Sequence, residues 1–145
     1  MSKFTGTLLM IVLVLAACGG GADDPALEGL PPDPGPAGSV EFISPQDGET
    51  VSNPVRLEMR AEGVTIEPAA SGVRENAGHL HVMVDAGCVD EGEVIPADES
   101  HVHYGMGQTE AEVTLEPGER ELCLQVADGD HVALPITSTI TITVE

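Results

Sequence analysis

From residue 39 to the end of the chain, apolar and polar residues alternate with a period of two. That is the mark of strands buried on one face only. The cleanest case is 54–62 (PVRLEMRAE), where Val55, Leu57, Met59 and Ala61 share one face and Arg56, Glu58, Arg60 and Glu62 the other. The same pattern puts Val40 and Phe42 inside a strand at 39–44, and Leu80, Val82 and Val84 inside one at 77–85. It continues with Val102 and Tyr104 at 101–104, and with Ala111, Val113 and Leu115 at 110–115. Leu122, Leu124 and Val126 follow at 119–128, then Ile140, Ile142 and Val144 at 137–144. Turn signals such as Asp47-Gly48 and Pro117-Gly118 separate these runs, and no stretch has helical periodicity. About seven strands in roughly 105 residues predict an all-β, immunoglobulin-like antiparallel β-sandwich over 39–145. With no Trp, two Phe and one Tyr, its core must be aliphatic.

The chain before residue 39 has a different character. Lys3 precedes an apolar run at 8–17 (LLMIVLVLAA) that is too short to cross a bilayer, which takes about 20 residues. It ends in Leu15-Ala16-Ala17-Cys18-Gly19, which resembles the bacterial lipobox. Residues 1–17 are therefore expected to be a lipoprotein signal peptide, and the resemblance implies lipidation of Cys18. Residues 18–38 form a Gly- and Pro-rich tether with no apolar period. The expected location is the cell-envelope membrane, the outer one if the cell has one, with the lipid bilayer as partner through acylated Cys18.

Loss of the signal removes Lys3 and leaves four basic residues against 25 acidic ones, a net charge of −21 with the histidines neutral. Such a surface excludes nucleic acid as a partner and suits cations. Export also bears on the cysteines. With Cys18 lipidated, Cys88 and Cys123 remain, and in an oxidising compartment they are expected to form a disulfide.

The polar face of the 77–85 strand carries His79, His81, Met83 and Asp85, an unusual set for a face pointing away from the core. A second His-x-His follows at His101 and His103, and a fifth histidine is His131. Two imidazoles two residues apart on a strand lie on one face about 7 Å apart along the backbone, so they can converge on one ion. The candidate ligands are His79, His81, Met83, His103 and His131, with Met106 nearby. Imidazole with thioether suits copper, whereas imidazole with carboxylate suits zinc, so Met83 favours copper. The competing reading is a structural or protein-interaction sandwich with no ligand, its histidines held by hydrogen bonds under loops. No nucleophile elbow, phosphate loop, His-Glu-x-x-His or EF-hand loop is present, so an enzyme is not expected.

Several blocks resemble a bacterial exported family known as domain of unknown function 4399. They are FISPQDGETVSNPV (42–55), GHLHVMVD (78–85), HVHYGMGQTEAEVTLEPGERELCLQVADGDH (101–131) and the 137–144 ending. Gly78, His79, His81, Asp85, His103, Gly105, Gly107, Gln108, Thr109, Pro117, Gly118, Asp128 and His131 carry the likeness. It implies an exported domain and no settled activity. Leu80 and Arg120 stand where that family often has further histidines, which thins the cluster here. The AGHLHVMVDAGC segment is also superficially similar to the metal strand of copper–zinc superoxide dismutases, but their arginine-bearing glycine-rich segment before the second cysteine is absent.

Overall fold

The computed structural model describes residues 38–145. The expected signal peptide, Cys18 and nearly all of the tether lie outside the described residues.

Among the described residues, nine strands build two packed sheets. β1 (Ser39–Ser44), β3 (Val55–Glu62) and β7 (Glu110–Val113) form a three-stranded antiparallel sheet in the order β1-β3-β7. The second sheet runs β2-β9-β8-β5-β4, from β2 (Thr50–Val51), β9 (Ala133–Val144), β8 (Gly118–Ala127), β5 (Ala77–Val84) and β4 (Thr65–Ile66). β6 (His101–Tyr104) pairs with β5 on the same side as β4. The all-β sandwich expected from the alternation is present. The two strands beyond the expected seven, β2 and β4, are two residues each and pair in parallel, too short to leave a periodic signal.

The inward residues meet as the alternation requires. Val40, Phe42, Val55, Leu57 and Met59 from the first sheet pack on Leu80, Val82, Tyr104, Leu122, Leu124, Val126, Ile140, Ile142 and Val144 from the second. Burial of one such aliphatic side chain contributes about 1.5–3 kcal/mol. The core is mainly β-branched residues and leucine, with Phe42 and Tyr104 as its aromatic members.

The second sheet departs from simple alternation. β5 is buried at every position from Ala77 to Met83, and β8 is buried on both faces from Leu122 onward. Its outer face is roofed by the segment 85–100 between β5 and β6. Val89 and Ile95 from that segment pack on Met83, Cys123, Ala127 and Ala133 in a second apolar cluster. Three devices hold the roof down. Cys88 and Cys123 form the expected disulfide. Gln125, fully buried on β8, donates from Nε2 to the Val89 carbonyl at 2.8 Å and accepts the Val89 N–H on Oε1 at 2.9 Å. Farther on, Ile95 N–H donates to the His131 carbonyl and Ala133 N–H to the Glu93 carbonyl. The histidine face of β5 is thus outward with respect to the core, as expected, but it is enclosed and not a solvent face.

Candidate metal centre

The register of the second sheet assembles the site. His81 lies opposite His103 on β6 and Gln125 on β8, and His79 lies opposite Ala127 at the end of β8. β8 then turns back into β9 through 128–132, which delivers His131. The Asp128 carboxylate shapes that turn, since its Oδ1 accepts the N–H groups of Asp130 and Val132. His131 sits at φ 66°, a left-handed backbone that a non-glycine residue adopts only when its surroundings demand it. The bond from Ile95 to its carbonyl is part of that demand. Gly129 allows the turn to come close to the loop after the Ala69–Ser71 3-10 turn, because a Cβ there would lie 2.2 Å from the Gly72 carbonyl carbon.

Four imidazoles consequently share one small volume. The His79 ring centroid is 4.8 Å from that of His81 and 4.9 Å from those of His103 and His131. His103 is 4.9 Å from both His81 and His131, and His81 is 5.9 Å from His131. His79, His81 and His103 each offer a ring nitrogen, all within 4.8 Å of one another. His79 and His81 are buried, while His103 is exposed and forms the open side of the cluster.

The inner pair is unusual in its hydrogen bonding. The Nε2 atoms of His79 and His81 face each other at 2.9 Å, and the Nδ1 atoms of both rings are buried without a partner. If neutral, one ring donates across the Nε2 contact and the other must then carry its proton on Nδ1, where nothing accepts it. A buried donor left unmade costs about 1–3 kcal/mol. Burial is also the first cause that lowers both basicities. With the neighbouring imidazoles acting in the same direction and Asp128 partly opposing at His79, His79 comes down to about 4 and His81 to about 3. His103 is lowered too, by burial and then by His131. At neutral pH the inner pair therefore holds unprotonated nitrogens, the form that binds metal.

His103 owes its place to Gly105. Its ring lies across that residue, so a Cβ there would fall 2.2 Å from Cε1 and 2.3 Å from Nε2 of the imidazole. The expected result of Gly105→Ala is selective. The ring swings aside with little change in melting temperature, and metal affinity drops by about 10-fold or more, as when a ligand loses its orienting contact. Isothermal titration beside thermal denaturation checks this, and a large fall in melting temperature would contradict it.

One expected ligand, Met83, has another occupation, and so does His101, which was not a candidate. Met83 lies opposite Cys123 and His101, one pleat beyond His81, and fills the apolar cluster under the roof. It is explained by packing, which removes the thioether on which the preference for copper rested. His101, from the second His-x-His, shares a hydrogen bond of 2.7 Å with Asp98 and holds that carboxyl below its usual range. Arg120 is at the far end of β8. It binds Asp85 at 2.8 Å and the carbonyls of Glu116 and Pro117. The sequence did not reveal the roles of Gly105, which lies under the His103 ring, and of Gln125, which grips Val89. A glycine two residues after a candidate ligand and a glutamine on a strand's outer face were the available signals.

The model of one family, described as a domain of unknown function (DUF4399), matches residues 57–145. The chain belongs to that family. All four clustered histidines fall within the matched span. No curated protein and no solved structure gave a match.

Proposed function

We propose that this protein is an exported lipoprotein, anchored in the membrane by acylated Cys18, whose sandwich domain binds a transition metal through His79, His81 and His103, with His131 as a fourth donor. The observation that carries the reading is the buried Nε2–Nε2 contact between the uncharged rings of His79 and His81, with His103 completing the triangle. A sandwich whose histidines served only as hydrogen-bonding struts would give each ring nitrogen a partner, and here two buried ones have none.

Copper remains the favoured ion, for reasons other than Met83. Nitrogen sites bind Cu(II) more tightly than other divalent first-row ions, Zn(II) included. The strongly acidic chain raises the local concentration of any cation.

The test is to load the purified protein separately with Cu(II), Cu(I) and Zn(II), dialyse it, and measure retained metal, with a His79→Ala, His81→Ala double variant alongside. One equivalent retained by the wild type and none by the variant is expected, with Cu(II) displacing Zn(II) in competition. A wild-type protein that retains none of the three would remove the metal reading and turn attention to protein partners.

A further inference from the structure

The turn that follows β6 fixes a backbone and leaves a side chain free. The Gly105 carbonyl accepts the Ala69 N–H at 3.0 Å, and Gly107 N–H donates to the Tyr104 carbonyl at 3.3 Å. Met106 forms a β-bridge with Pro68, and its N–H donates to Gln108 Oε1 at 2.8 Å. The Met106 side chain is nevertheless 75% exposed, more than any other large hydrophobic side chain among the described residues. A turn tied at this many points has no evident structural need for a methionine at its tip.

Its position gives it one. The His103 ring lies on Gly105, the residue directly before Met106 in the chain. The thioether is therefore attached one residue from the place where the exposed ligand of the cluster rests. Methionine turns about three side-chain bonds and ends in a polarisable sulfur, so it reaches irregularly placed partners. Thioether sulfur is a soft donor and selects monovalent copper, which imidazoles alone do not.

We infer that Met106 is a further metal ligand, closing over the open, His103 side of the cluster and giving the site its affinity for Cu(I). This rests on the reading of His79, His81 and His103 as a metal site. The buried imidazoles hold either oxidation state from below, and the exposed sulfur adds strength only for the soft one. A thioether at the surface also leaves the ion open to exchange with an incoming donor, so the ion is better suited to being cargo than a fixed structural metal.

The experiment compares the wild type with Met106→Leu, which keeps size and apolarity at an exposed position. Affinities for Cu(I) and Cu(II) are measured by competition with chromophoric chelators, and the Cu(I)-loaded forms by X-ray absorption. The expected result is a fall of about 10-fold or more in Cu(I) affinity in the variant, with Cu(II) affinity unchanged within about 3-fold. A sulfur scatterer should be present in the wild type and lost in the variant. Equal Cu(I) affinities, or a sulfur scatterer that persists in Met106→Leu, would overturn the assignment of Met106 while leaving the imidazole site standing. A wild type that binds neither ion would overturn the imidazole site and Met106 together, so the two failures are distinguishable.

Discussion

Taking the metal-free protein from pH 6.5 to pH 4 is expected to remove about 6 kcal/mol of stability through His79 and His81 alone. Both groups are depressed in the folded state, to about 4 and about 3, from an ordinary value of 6.5. Below pH 6.5 the unfolded chain takes up protons that the folded chain refuses, so stability rises with pH across this window and falls as acid is added. At pH 4 the linkage is about 3 kcal/mol for each residue, treated as independent. The buried location of both rings is the main cause, with the other imidazoles adding repulsion once any one is charged. Carboxylate protonation relieves the chain's negative charge over part of the same range and acts the other way. The informative quantity is therefore the difference between wild type and His79→Gln, His81→Gln, which has the same carboxylates. Urea unfolding at a series of pH values should show the two stability curves converging on acidification, the wild type losing more. Parallel curves would mean that the imidazoles titrate normally and that the pair is not desolvated. A chelator must be present throughout, because a bound ion competes with the protons and masks the slope.

That result depends on a feature the alternation did not reveal. The pattern AGHLHVMVD separates Leu80, Val82 and Val84 from His79, His81 and Met83 correctly, and the sandwich interior follows from it. It is silent on what lies over the second face. Period-two reading treats a polar face as wet, but here the acidic, turn-rich 85–100 segment folds back and dries it. The roof over that face is held by Val89, Ile95, Gln125 and the disulfide, and period two does not report it. The convergence of His103 on His81 was legible in outline, since two His-x-His strands that pair in register must bring histidines together. The arrival of His131 was less so, because it depends on the Asp128 turn and on a left-handed residue. Met83 shows the opposite error. Its residue type suggested chemistry, whereas its register position, opposite Cys123, makes it packing.

Removing the disulfide is expected to lower stability by about 4 kcal/mol while leaving metal binding stoichiometric. Cys88 and Cys123 are 35 residues apart, and the chain-entropy relation for a loop of that length gives about 4 kcal/mol through the unfolded state. The paired replacement Cys88→Ala, Cys123→Ala is preferable to serine, because Cys123 is fully buried in an apolar cluster with Met83, Ile95 and Ala127, where a hydroxyl would cost desolvation. Binding is expected to survive because the cross-link is at the Met83 end of the roof, whereas the imidazoles are held by other bonds. Gln125 still grips both polar groups of Val89, Ile95 still donates to the His131 carbonyl, and the Val94–Val132 bridge stands beside it. Chemical denaturation of the variant should give a lower midpoint, and dialysis loading should give one equivalent of copper in both forms. A loss below about 1 kcal/mol would mean that the unfolded chain gains little freedom on release. Loss of copper along with the cross-link would instead place the roof, and not the sheet register, in control of the imidazole geometry. The β5–β6–β8 pairing would then be necessary for the site but not sufficient to hold it.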